Sequence, residues 1–318
     1  MATTEHWDNA PQSARAASRR RGSPVARLRA WLGGAYTPYL CIAPFFAVFF
    51  AFFAYPVAYS FYVSLQHWSG IGPMRSVGFD NYTFVLSDSF FWNAVDNTAL
   101  LWLLVVPPGI VLSLLIAVAL NRARFRGRAI ATMLYLLPTV SSIVAVAFVF
   151  KIFFDQDYGP VNIVLGTLHL PHVPWLTSEA WSKPTLALVR LWASVGLGAL
   201  FFYAAMQNIS QDLYEAAAMD GCNPIRQFWA ITLPLLSRTI LFIAIVGTLA
   251  VLSLFAEPQL ITNNGGPGTS SVTLGYYLYT FINNLDYGTA SAVSFLTTMA
   301  MMIVSIALFL IARRWQVD

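Results

Sequence analysis

The sequence predicts an all-α, polytopic membrane protein with six transmembrane helices and both termini cytoplasmic. Three observations predict it. Of 318 residues, 58% are apolar, 15% aromatic and only 10% charged. A soluble domain carries about a quarter charged residues, so this composition suits lipid and excludes both an ordinary soluble enzyme and a disordered chain. Six apolar segments follow a polar tail, each near the ~20 residues a bilayer requires. Basic residues gather on one side of those segments.

Residues 1–35 form an Arg-rich tail, expected to be a disordered cytoplasmic segment with no cleaved signal. The remainder, 36–318, reads as one transmembrane domain. Its spans are Pro38–Leu65, Thr98–Leu120, Ala129–Phe154, Pro184–Met206, Thr239–Leu260 and Gly288–Ile311. Runs such as Leu100–Val106 and Ile240–Val246 are apolar on every side, which no half-buried strand shows. Helices satisfy their own backbone polar groups, as lipid demands. Pro44, Pro56, Pro107, Pro108, Pro138 and Pro258 fall within or beside spans and are expected to kink them.

Orientation follows from the basic residues. With the N-terminus cytoplasmic, 14 of 18 Lys and Arg lie on that side. They include Arg15, Arg19, Arg20, Arg21, Arg27 and Arg29 in the tail, and Arg122, Arg124, Arg126 and Arg128 between the second and third spans. Arg226, Arg238, Arg313 and Arg314 complete the set. That bias places both termini in the cytoplasm. The net charge of +4 therefore reports orientation, and no nucleic-acid partner is expected. The connections 66–97, 155–183 and 261–287 become external.

Several chemistries find no support. Neither Lys151 nor Lys183 sits in a phosphate-cradling Gly-rich loop, so the chain is expected to bind no ATP by that motif. His169 and His172 flank Pro171 in a loop and make no metal site; no cofactor and no metal are expected. Cys41 and Cys222 form no disulfide framework. Ionisable residues near spans are confined to Lys151, Arg190 and Glu257, fewer than a proton-coupled carrier usually shows.

The cytoplasmic connection 207–236 is the informative segment. Asp212 and Glu215 resemble a capping box with Asp in place of Ser or Thr. Ala216–Ala218 favour helix, and Gly221 supplies a helix stop. Asn223-Pro224 reads as an N-cap with Pro at the first helical position. Ile225, Phe228 and Trp229 are expected on one face of the second helix. An amphipathic helical pair suits docking of a soluble partner, although the same pattern fits an interfacial helix lying on membrane lipid.

Glu215, Ala216, Ala217 and Gly221, then nine residues, then Ile231, Leu233 and Pro234 match a known signature. It is the cytoplasmic loop of permease subunits in binding-protein-dependent ABC importers, which the chain resembles over nearly all its length after residue 36. Tyr55-Pro56 with Ser60 and Ser64-Leu65, Gly78–Tyr82, Asn97-Thr98 and Pro138 are similar to carbohydrate permeases. Thr262, Gly265-Gly266-Pro267 and Thr273 resemble the MalF-like, first-permease half of such importers, and Gly288, Ala290 and Ala292–Ser294 open the last span in the same manner. Asn263-Asn264 depart from the family, which usually places a small residue there.

The resemblance implies the ABC importer transmembrane-domain fold in a bacterial or archaeal cytoplasmic (inner) membrane. It implies a non-catalytic subunit that works with a second, non-identical permease subunit, a dimer of ABC ATPase subunits, an external solute-binding protein and a sugar substrate. Glu215, Ala216, Ala217, Asp220, Gly221, Ile231, Leu233 and Pro234 would couple to the ATPase. Arg190, Trp192, Tyr203, Phe255 and Glu257 lie where carbohydrate permeases place their central path, with Arg190 and Glu257 expected to pair. Asn264, Gly265, Gly266 and Pro267 would contact the binding protein. A permease for glycerol-phosphate-type solutes remains open at this point, as do a proton-coupled secondary carrier and a membrane scaffold.

Overall fold

The computed structural model describes residues 37–121 and 128–315. The expected disordered tail 1–35 and the basic residues Arg122, Arg124 and Arg126 lie outside the described residues. The chain divides into two compact units, one ending at Tyr59 and the other beginning at Ser60.

The described part of the first unit is helical. Helix α1 (Thr37–Phe49) passes through a π-helical turn (Phe50–Ala54) into α2, which begins at Tyr55 and runs to Ser64. Pro56 explains the widened turn: it lacks an N–H and its ring crowds the carbonyl four residues back, so the Tyr55 N–H bonds the Phe50 carbonyl instead. Phe45, Phe49 and Phe53 stack ring on ring at helical spacing and are exposed. So large an apolar face requires lipid or another protein around it.

In the second unit, two short antiparallel strands, β1 (Gln66–His67) and β2 (Arg75–Ser76), precede α3 (Asp80–Ser87) and the long α4 (Ser89–Asn121). Then come α5 (Arg128–Val140), α6 (Ile143–Phe153), α7 (Pro160–Thr167) and the long α8 (Glu179–Gln207). The 207–236 connection holds α9 (Gln211–Met219), α10 (Pro224–Gln227), a π-helical turn (Phe228–Thr232) and α11 (Leu233–Leu235). Helices α12 (Ser237–Leu252), α13 (Ala256–Leu260), α14 (Leu274–Asn283) and α15 (Tyr287–Trp315) complete it.

Among the described residues four helices are long and apolar enough to cross a membrane, six spans if each of two bent pairs counts as one. The kink expected at Pro138 is a break, and the fifth span ends short of the expected Leu260. The third bends by 105° between α5 and α6. Pro138 precedes the break, and the Ser141 hydroxyl donates to the Leu137 carbonyl at 2.8 Å, back-bonding that bends helices. The fifth stops at Leu252, with α13 a separate helix. The external connections carry short helices of their own, α3, α7 and α14.

Helix α8 packs along α4 and against α5. A Cβ at Gly196 would overlap the Tyr135 carbonyl oxygen, and the Ser113 hydroxyl donates to the Val195 carbonyl at 3.0 Å. Small residues let helix backbones approach this closely in lipid, where packing and hydrogen bonds drive association. Trp102 Nε1 donates to Thr248 at 2.8 Å, joining α4 to α12.

Three buried asparagines pin the external side. Asn81 Nδ2 donates to the Ser64 and Gln66 carbonyls, at 2.8 and 2.9 Å. Asn97 donates to the Thr269 and Val272 carbonyls and accepts from Lys183 Nζ. Asn162 Oδ1 accepts from the Val173 N–H and from Trp175 Nε1. The Tyr277 hydroxyl on α14 bonds Asp88 at 2.7 Å; burial, then that carboxylate, pushes its pKa well above the ordinary phenol value. Gly196→Val should cost about 1–3 kcal/mol by overpacking α8 against α5, read as a lowered thermal unfolding temperature of the purified protein in nanodiscs.

Candidate functional site

Three features lie at different levels of the second unit. The first is the 207–236 connection. Ser210 caps α9, its side chain accepting from the Asp212 N–H at 3.2 Å. This corrects the expected Asp212 capping box: the helix starts at Gln211, so Asp212 lies in the first turn, where a carboxylate suits the positive helix end. Asn223 caps α10 as its sequence suggests, its Oδ1 accepting from the Arg226 N–H at 2.8 Å. Gly221 makes the corner between them at φ +79°, a conformation a side chain adopts only with strain.

Glu215, Ala216, Asp220, Gly221 and Pro234 are exposed, while Ala217, Ile231 and Leu233 are half-buried. Ile225 and Trp229 are exposed together, and Met219 is 90% exposed. Phe228 departs from the expected shared face. It opens the π-helical turn that precedes Pro234 and packs into a cluster of Leu114, Phe202, Met206 and Leu236. Inside the connection, Gln227 Nε2 donates to the Tyr214 and Cys222 carbonyls, and the Tyr214 hydroxyl bonds Thr232 at 2.9 Å. The segment is therefore a folded knob with an exposed apolar tip, tied to the end of α8.

The second feature is a cavity of about 350 Å³ among α4, α5, α6, α8 and α12. One stripe of α8, Arg190, Ser194, Leu197 and Phe201, lines it at helical spacing. The broken third span contributes Pro138, Thr139 and Ser141, consistent with irregular backbone being tolerated at membrane depth only beside a cavity or protein. Phe201 meets Phe242 edge to face, with centroids 5.1 Å apart, and both line the cavity.

Arg190 Nη1 lies 3.2 Å from Glu257 Oε1, with the Glu257 side chain 4% and the Arg190 side chain 23% exposed. The structure thus brings Arg190 and Glu257 together across α8 and α13. It places the other path residues elsewhere. Trp192 packs edge-on to Phe150, Phe255 stacks on Tyr279, and Tyr203 joins the cluster under the 207–236 connection. None of these three lines the cavity. The aromatics that line it are Phe201 and Phe242. For Phe201 the signal is helical phase: from Arg190, positions 194, 197 and 201 share a face, and 192 and 203 do not; Phe242 lies on α12 and carries no such signal.

The third feature is the turn after α13. Asn264, Gly265 and Gly266 N–H groups fold back onto the Gln259, Pro258 and Thr262 carbonyls, at 3.1, 2.9 and 2.8 Å. Asn264 is exposed, Gly265 buried, and Gly266 and Pro267 half-buried. Asn263 and Asn264 take φ of +51° and +67°, which explains the departure from the family pattern, since Asn tolerates this region. Lys151 Nζ donates to Asn263 Oδ1 at 2.6 Å.

With this geometry in place, comparison with known proteins is decisive. Residues 109–316 match the binding-protein-dependent transport system inner membrane component family. The chain belongs to that family. LacF, the lactose transport system permease protein of Rhizobium radiobacter, is 34% identical over 282 residues, covering 86% of this chain and 93% of LacF. MalF, the trehalose/maltose transport system permease protein of Thermococcus litoralis, is 31% identical over 260 residues, covering 81% of this chain and 88% of MalF. A crystal structure of a bacterial alginate ABC transporter, in complex with an alginate-pentasaccharide-bound periplasmic protein, contains a chain with the same fold. The TM-score is 0.78 at 23% identity, over 91% of this chain and 98% of that one. The protein is a multi-pass transmembrane permease subunit of an ABC importer.

The ion pair yields a prediction. Removing one partner of a fully buried pair costs ~3–5 kcal/mol. Arg190 reaches the cavity, so Glu257→Ala should cost roughly 2–3 kcal/mol, and Arg190→Met with Glu257→Leu should recover most of it. Thermal unfolding of the three proteins in detergent checks both statements.

Proposed function

We propose that the protein forms half of the translocation path of an ATP-driven sugar importer in the cytoplasmic (inner) membrane of a bacterium or archaeon. A second, non-identical permease subunit would supply the other half. A dimer of ABC ATPase subunits would hydrolyse ATP and dock on the 207–236 knob, leaving this subunit non-catalytic. An external solute-binding protein would deliver sugar at the turn holding Asn264, Gly265, Gly266 and Pro267. On this reading residues 36–318 are the transmembrane domain and 1–35 a cytoplasmic tail.

The observation that carries the coupling reading is the knob itself. It combines the signature positions Glu215 to Pro234 with an exposed apolar tip, Met219, Ile225 and Trp229, that a soluble partner would cover. The cluster of Phe202, Met206, Phe228 and Leu236 beneath it provides mechanical continuity. Through that cluster, displacement of the knob would be carried into α8, whose middle lines the cavity. The sugar reading is supported by the names of the relatives and by a cavity that combines hydroxyls with an aromatic pair, groups that suit the edges and faces of a sugar. The family and these relatives favour neither a glycerol-phosphate-type permease nor a proton-coupled carrier.

Gly221→Trp tests the coupling. A bulky side chain at φ +79° is strained, yet nothing lies within 4 Å of where its Cβ would sit. The subunit should therefore fold and assemble. In proteoliposomes holding the complete importer, uptake should fall by at least about tenfold while ATP hydrolysis persists. Unchanged uptake per ATP would remove the knob from the coupling path.

A further inference from the structure

We propose that the cavity admits uncharged saccharides and discriminates against acidic ones, and that Glu257 sets this selectivity by cancelling the charge of Arg190. The inference rests on reading the cavity as the translocation path. Among the described residues, Arg190 is the only charged side chain lining the cavity. An unpaired guanidinium on a largely apolar wall would be a strong site for a carboxylate, sulfate or phosphate group, because Arg presents a planar fork of donors matched to such anions. Glu257 removes that possibility. Its carboxylate is buried and holds Arg190 at 3.2 Å from behind the wall, without lining the cavity itself.

The consequence is asymmetric for the two kinds of solute. A guanidinium has five N–H donors, so its contact with Glu257 leaves others for a ligand. A sugar hydroxyl can accept from these without adding charge. An acidic sugar would bring a second carboxylate to an arginine already neutralised, and would leave a net negative charge in a low-dielectric wall. The rest of the lining agrees with a neutral, hydroxyl-rich solute: Ser113, Thr139, Ser141 and Ser194 line the cavity with the Phe201–Phe242 pair and aliphatic side chains, and a hydroxyl that donates to its own helix, as those of Thr139, Ser141 and Ser194 do, keeps lone pairs to accept from a sugar.

The test uses the assembled importer in nanodiscs without the binding protein, so that the binding protein's own selectivity does not enter. Saturation-transfer NMR titrations compare lactose with lactobionate and maltotriose with trigalacturonate. The wild type should bind the neutral member of each pair at least about tenfold more tightly, the weight of one charge-assisted hydrogen bond. Glu257→Gln should raise affinity for the acidic members by about tenfold, and Arg190→Gln added to it should abolish the gain.

Equal or tighter binding of the acidic members by the wild type would overturn the charge inference while leaving a saccharide path intact. So would a Glu257→Gln complex that assembles and gains nothing. Should Glu257→Gln fail to assemble, the wild-type comparison decides alone. If the wild type binds neither class, and Phe201→Ala leaves sugar uptake by the complete importer unchanged, the path reading fails and takes the charge inference with it.

Discussion

The close contact of α8 with α4 and α5 is the constraint on which the rest of this subunit depends. Gly196 leaves room for the Tyr135 carbonyl, and Ser113 bonds the backbone at Val195. In lipid no hydrophobic force draws helices together, so contacts of this kind must hold them. Helix α8 is thereby clamped along its middle. One end enters the external web through Lys183 and Asn97; the other ends in the cluster beneath the 207–236 knob. A single helix thus runs from the 207–236 knob to the cavity wall.

Two irregular spans shape this region: the broken third lines the cavity, and the short fifth sets Glu257 beside Arg190. The 105° break after Pro138 places Thr139 and Ser141 in the cavity lining, beside an interior space where freed backbone is not exposed to hydrocarbon. The end of the fifth span at Leu252 frees α13 to bring Glu257 behind Arg190. Charge in this region is costly unless paired, and the pair keeps the wall neutral while leaving it polar.

Much of this was legible in the sequence, for identifiable reasons. The spans follow from composition and length. The Asn223-Pro224 start and the Gly221 corner follow from local backbone chemistry that tertiary packing does not override. Arg190 and Glu257 pair because an unpaired charge there is costly. Other features depend on packing that no local pattern encodes. The cap at Ser210 competes with a plausible one at Asp212. Phe228 turns inward because the hydrophobic cluster at the end of α8 receives it, a tertiary contact that the local pattern of Ile225, Phe228 and Trp229 does not show. Asn81, Asn97 and Asn162 were external-loop or span-opening residues in the sequence, and only the fold reveals them as buried pins. Phe201 needed the phase of α8 to be followed from Arg190, and Phe242 becomes its neighbour only through the packing of α12 on α8.

The most direct measurement of rigid transmission is a pair of spin-label distances in the complete importer, in a background where Cys41 and Cys222 are replaced by Ser. One pair joins Ala180, at the start of α8, to Ala218 on α9; the other joins Ala218 to the second permease. Through the ATP cycle, rigid transmission predicts that the second distance changes while the first stays within its resting distribution. A shift within the subunit as large as the shift between subunits would contradict it, because the knob would then move without carrying the cavity wall.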